Sequence, residues 1–175
     1  HEVIEAASTK WNFMKLKPGL VGGHCISIDP YYLMHKSKMS GYSPDLMIKA
    51  REINEGMGDW AASSFLKYAK EESIDLNSTN ITFLGYTFKE NCKDIRNTKV
   101  KELVVSIKDL GVSVSLWDPL LSTADLDKLE SGGIMVHRTI PNDIQFAFLC
   151  VSHNEILEFL ETYDGPLFDY KKIVY

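Results

Sequence analysis

The sequence predicts an α/β protein: helices as far as about residue 74, then a Rossmann-like sandwich built on a parallel sheet. Three observations predict it. From Ile81 onward, short runs rich in β-branched and aromatic residues alternate with amphipathic helical patterns. Those segments end on turn signals, with Gly85, Gly111 or Asp118-Pro119. Before residue 74, apolar residues recur at spacings of three and four with no strand pattern. Strand–helix alternation implies right-handed βαβ units and a parallel sheet covered by helices.

In order, residues Glu2 to Lys10 read as the end of a helix, with Val3, Ile4, Ala6 and Ala7 among polar neighbours. So short a piece cannot bury itself, and with no initiator Met the chain is expected to be the C-terminal part of a longer one. Asp29-Pro30 predicts a helix start, Asp as N-cap and Pro at the first position, running to Ser40 and stopped by Gly41. Tyr31, Leu33 and Met34 are its expected contacts. Ser43-Pro44-Asp45 opens a long helix to about Glu72, with Leu46, Ala50, Ile53, Met57, Trp60, Ala61, Ser64 and Tyr68 on one face. It would span roughly 40 Å. Gly56 and Gly58 each cost about 1 kcal/mol against Ala, so a bend or break is expected there.

The polar run Asp75 to Asn80 divides residues 1–74 from 78–175. Strands are expected at Ile81–Gly85, Val112–Trp117, Ile134–Val136, Phe146–Val151, Leu167–Phe168 and Ile173–Val174. Helices are expected at Thr98–Leu110, Ser122–Glu130 and Asn154–Leu160.

Composition narrows the function. At 175 residues, 45% apolar and 25% charged, the chain matches ordinary soluble globular proteins. A net charge of −5 gives no basic footprint, so nucleic acid is not an expected partner. No run approaches about 18 apolar residues, so no membrane span is expected. The start, His1-Glu2-Val3-Ile4-Glu5, is not a signal peptide. Cys25, Cys92 and Cys150 form an odd set with no CxxC, which fits a reducing, cytoplasmic setting.

Two stretches carry chemistry. The first is Lys17-Pro18-Gly19-Leu20-Val21-Gly22-Gly23-His24-Cys25-Ile26-Ser27-Ile28-Asp29-Pro30. Its glycines let backbone N–H groups approach a ligand, and a helix N-terminus stabilises thiolates and bound anions. The second, Tyr86 to Thr98, is a long βα connection. It lacks GxGxxG, carries Lys89, Lys93 and Arg96, and ends at a helix N-terminus, so an anion site and a solvated charged loop both fit. On sheets of this kind ligands sit at strand carboxyl ends, which points to that loop and to Ser152-His153-Asn154. His153 itself reads as a helix cap, Cys92 as incidental, Cys150 as core, and Arg51 as an exposed residue on a helix face. A metal site at His24, Cys25 and Asp29 has unlike spacing and no fourth ligand, and none is expected.

Together these stretches resemble the UDP-glucose/GDP-mannose dehydrogenase family. Gly22-Gly23-His24-Cys25 with Asp29 matches its catalytic loop, and Phe88, Lys89, Asp94 and Arg96 match its F-K-x-x-x-x-D-x-R motif. The text from Lys17 to Leu33 looks like the branch oxidising UDP-N-acetylhexosamines for capsule and O-antigen sugars. The resemblance implies the end of a central helical domain followed by a C-terminal UDP-sugar-binding domain. The NAD-binding domain lies outside the chain, so the chain alone is expected to be inactive.

For the intact enzyme, the resemblance implies a homodimer that oxidises a C6 alcohol to a carboxylate with NAD. Cys25 forms a thiohemiacetal and then a thioester, and Asp29 orients the hydrolytic water. Leu16, Lys17, Pro18, Gly19, Leu20, Val21 and Gly22 would hold the sugar-phosphate end, with Phe88 and Lys89 from the C-terminal domain. Lys171 stands where relatives carry an arginine, and keeps the charge without the fork. Cys25, Ile26, Ser27, Ile28 and Arg96 would meet NAD. Two other classes stay in view: a non-catalytic nucleotide-sugar-binding module, and a cysteine hydrolase, for which His24 is badly placed as a base.

Overall fold

A computed structural model describes residues 2–16 and 19–171. Four helices come first: α1 (Glu2–Ala7), α2 (Cys25–Met39), α3 (Asp45–Glu55) and α4 (Met57–Glu71). Then β1 (Ile81–Leu84), α5 (Val100–Asp109), β2 (Val114–Trp117), α6 (Thr123–Ser131), β3 (Met135–His137), β4 (Phe146–Leu149), α7 (Asn154–Leu160) and β5 (Leu167–Phe168) follow. The expected strand at Ile173–Val174 lies outside the described residues.

All pairings are parallel, in the order β3-β2-β1-β4-β5. Ile81 pairs with Val114 on one side and Phe146 on the other. The order reverses between β1 and β4, so the loops after those two strands diverge at their carboxyl ends and leave a place for a ligand. Central strands β1, β2 and β4 are buried throughout, as expected of a sheet covered on both faces. On one face α5 buries Val100, Leu103, Val104 and Ile107, one stripe at helical spacing. On the other face Ile156 and Leu160 of α7 pack with Leu84, Trp117 and Leu149.

The long helix is interrupted at Gly56, as the two glycines allow. Its two halves differ in burial. In α3, Leu46 and Ile53 are exposed, against the expected face. In α4 the buried stripe is Gly58, Ala61, Ala62, Phe65 and Ala69, and Trp60 is half exposed. The expected face therefore runs about one residue out of phase along α4 and omits its largest core residue. Phe65 is fully buried, with ring centroids 5.5, 5.4 and 5.5 Å from those of Phe146, Phe148 and Phe168. Thus α4 shares one core with the sheet across the polar Asp75–Asn80 turn.

Phe65→Ala should lower the unfolding free energy by about 3–5 kcal/mol, whereas Leu46→Ala should change it by less than about 0.5 kcal/mol. Urea unfolding of the two variants measures both.

Candidate functional site

The glycine loop leads into α2, and Cys25 is the first residue of that helix. Its thiol is exposed, with Sγ 3.6 Å from Nδ1 of His24. The helix therefore begins one turn before the Asp29-Pro30 signal. His24 takes the N-cap position without a side-chain cap. Asp29 caps nothing there: it is exposed, four residues along the helix from Cys25 and hence on the same face. Pro30 lies inside the helix, where it cannot donate to the Ile26 carbonyl. Arg51 supplies a substitute, its Nη1 donating to Ile26 O at 3.4 Å. This outside donor meets a carbonyl that the proline leaves without its helical N–H partner. Of the contacts expected from α2, only Met34 is buried, while Tyr31 and Leu33 are exposed.

Two of the glycines serve close packing between protein segments. A Cβ on Gly22 would lie 2.3 Å from the Asn97 carbonyl oxygen. Gly23 has φ +108° and faces the Phe88 ring, 3.1 Å from where its Cβ would be. Asn97 also donates through Nδ2 to Gly23 O at 3.1 Å, and Asn54 of α3 donates to Val21 O at 3.1 Å. The loop after β1 thus sits directly against the thiol-bearing loop.

A cleft of about 420 Å³ opens where these segments meet. Seven of the residues expected to hold substrate line it: Gly19, Leu20, Val21, Gly22, Phe88, Lys89 and Lys171, with Ile26 of the cofactor set. Leu16 is exposed and does not line it, and Lys17 and Pro18 lie outside the described residues. Cys25, Ser27, Ile28, Asp29 and Arg96 are not in its wall. Glu90 and Val151 are, and sequence reasoning missed both. Lys171 is 13% exposed, 3.5 Å from Glu90 Oε1 and 5.8 Å from the Tyr170 ring centroid, and its chain packs on Gly19. Lys89 is exposed, with Nζ 5.5 Å from the Phe88 ring centroid. Arg96 gives Nε and Nη2 to Asp94; these bonds hold the Asp94 carboxyl below the usual carboxylate range.

Beneath that loop lies a buried polar cluster. His153 occupies the N-cap position of α7, but its side chain does not cap the helix. It is completely buried, with Nε2 2.9 Å from Thr87 Oγ1 and 3.1 Å from Asp118 Oδ2, while Nδ1 accepts the Asn91 N–H at 2.9 Å. An accepting Nδ1 carries no proton, so the ring is the neutral Nε2–H tautomer. Asp118 accepts from the N–H groups of Tyr86, Thr87 and Leu120 as well. Burial pushes its carboxyl up, but the His153 and backbone hydrogen bonds outweigh burial and hold it below the ordinary value.

A second cleft, of about 550 Å³, lies between α2 and α3 and includes Tyr31, Met34, His35 and Arg51. Arg51 is not the exposed residue expected: its side chain is 11% exposed, 2.8 Å from Glu55 and 5.5 Å from the Tyr31 ring centroid. Glu55 in turn pairs with Lys99, itself 7% exposed and paired with Glu102. Cys92 is half-buried and Cys150 fully buried, where desolvation pushes its thiol up. Among the described residues no cluster of three His, Cys, Asp or Glu side chains could hold a metal, and no helix is long and apolar enough to cross a membrane.

This fold agrees with solved structures that the chain matches. The family model for the UDP-glucose/GDP-mannose dehydrogenase central domain matches residues 1–56, and that for the family's UDP binding domain matches residues 82–174. The chain belongs to the UDP-glucose/GDP-mannose dehydrogenase family. It is 45% identical over 123 residues to UDP-N-acetyl-D-glucosamine 6-dehydrogenase of Pseudomonas aeruginosa, covering 70% of this chain and 29% of that protein. It is 35% identical over 184 residues to Protein CapL of Staphylococcus aureus, covering 99% and 42%. The structure of UDP-D-ManNAc dehydrogenase from Pyrococcus horikoshii matches 99% of this chain and 40% of that one, with TM-score 0.74 and 25% identity. The chain therefore spans well under half the length of these relatives.

Gly22→Ala should force the loop away from Asn97 and expose the Phe88 side of the cleft, seen as faster proteolysis within residues 16–24 at an unchanged far-UV spectrum. Asp118 has its own pH signature. A carboxyl held low in the fold stabilises it above the unfolded-state value, about 3.9, and that stability is lost as pH falls through the folded value. Asp118→Asn should therefore be less stable at pH 6 and lose less on acidification below pH 4, as read from thermal unfolding across that range.

Proposed function

We propose that this chain is the nucleophile-bearing and UDP-sugar-holding part of an NAD-dependent nucleotide-sugar 6-dehydrogenase. Its substrate is a UDP-N-acetylhexosamine, oxidised at C6 to the carboxylate. Capsule or O-antigen synthesis in the cytoplasm by a homodimer is the setting this reading assigns. The observation that carries it is the cleft itself, which gathers the glycine loop, Phe88, Lys89 and Lys171 next to the start of the Cys25 helix.

In this reading Lys89 and Lys171 meet the diphosphate, and an incoming phosphate replaces Glu90 as the partner of Lys171. Phe88 gives the sugar nucleotide an apolar wall. Cys25, exposed at the helix start, attacks the C6 aldehyde as the thiolate; carbon–sulfur bond formation converts the carbonyl into a thiohemiacetal. After oxidation of that adduct to the thioester, water adds to the acyl carbon and the thiolate leaves. Asp29, one turn along the same helix face, orients that water. NAD, when bound, supplies the hydride acceptor for both oxidations. Exposed Cys25 and Ile26, with Ser27 and Ile28 behind them and the exposed Arg96 guanidinium, fit a cofactor bearing phosphates. Arg96 would hold it through the guanidinium nitrogen that Asp94 does not use.

Calorimetry of this chain with UDP should show binding that Lys89→Ala and Lys171→Met each weaken by about tenfold, or about 1.4 kcal/mol. In the full-length enzyme, Cys25→Ser should abolish NADH formation from UDP-N-acetylhexosamines. Undiminished NADH formation would sink the thioester route.

A further inference from the structure

We infer that Asn54, Asn97 and Arg51 are positioning residues that set the peptide planes of the glycine loop and of the helix start it leads into. Within six residues, two loop carbonyls and one in the first turn of α2 are each met by a side-chain donor: Val21 by Asn54, Gly23 by Asn97 and Ile26 by Arg51. Two donors come from one face of α3 and the third from the loop after β1, so the carbonyls are gripped from two separate segments.

A trans peptide is planar, with its C=O and the following N–H on opposite sides. Fixing the carbonyls of Val21, Gly23 and Ile26 therefore turns the N–H groups of Gly22, His24 and Ser27 away from the three donors. A loop containing Gly22 and Gly23 would otherwise sample many backbone conformations. The clamp converts it into one conformation before a ligand arrives, which lowers the ordering cost of binding.

The donors are themselves held. Asn97 has φ +51°, a conformation asparagine adopts more readily than most residues. Arg51 is stacked on Tyr31 and paired with Glu55, which also binds Lys99. The purpose assigned to the clamp rests on the reading of the cleft as a UDP-sugar site; its existence does not.

The test uses this chain labelled with 15N-glycine, in a Cys92→Ser background, with Asn54→Leu, Asn97→Gly and both together. Leu removes the donor at similar size on a helix, and Gly tolerates the positive φ of position 97, so the variants keep the fold. The expected result is displacement or broadening of the Gly22 and Gly23 amide signals while those of Gly85 and Gly111 stay in place. Cys25 alkylation by iodoacetamide should change at least threefold, and UDP affinity should fall about tenfold in the double variant. Unchanged Gly22 and Gly23 signals with an unchanged alkylation rate would overturn the proposal. So would displacement spread equally to Gly85, Gly111 and Gly133, because the asparagines would then act on the fold at large. Absence of UDP binding by the parent chain would count against the proposed function alone, since the glycine signals and Cys25 alkylation are read without nucleotide.

Discussion

The contact between Gly22 and the Asn97 carbonyl is the joint on which the site turns. Any larger residue would put a carbon 2.3 Å from that oxygen. The contact brings the loop after β1 against the segment that carries the thiol, and the cleft exists because those two pieces meet. Phe88 against Gly23, Asn97 on the Gly23 carbonyl and Asn54 on the Val21 carbonyl reinforce the same approach. The sheet supplies the rigid floor, since the loop leaves β1 at Gly85, whose φ of +86° lets the chain pass the Val151 carbonyl closely.

Two polar clusters hold the joint from opposite sides. Below the loop, His153 and Asp118 satisfy the backbone N–H groups of Tyr86, Thr87 and Asn91. Buried groups of this kind are costly when left unpaired, so the loop's path is strongly specified by them. On the other side, Glu55 joins Arg51 on α3 to Lys99 at the end of the loop. With Lys99 only 7% exposed, removing Glu55 would strand a buried cation beside Glu102 alone.

The helical and strand segments of the α/β region were legible because their patterns are local. The stripe Val100, Leu103, Val104 and Ile107 and the buried run Phe146 to Leu149 can be read from neighbours in sequence. Phe65 was not read, because a helix with Ala, Ser and Trp at competing phases does not reveal which stripe meets a sheet 15 or more residues later. Most of the cleft lining was legible through the family motifs. The helix start differs from the expected one because Asp29-Pro30 is a strong local start signal, whereas the donor that meets the carbonyl freed by Pro30 is an arginine 25 residues away. His153, Arg51 and Glu90 were missed or misassigned for one reason: their roles depend on partners far away in sequence.

Asn97 bonds to Gly23 across 74 residues of sequence. Closing so long a loop is entropically unfavourable until other contacts have drawn its ends together. Those contacts are the packing of α4, which lies between the two residues, on the sheet and on α5. The thiol-bearing segment can therefore be held in this shape only once α4 has docked on the sheet. Cys25 is expected to gain its surroundings late in folding, in a step separable in time from formation of the β-sheet.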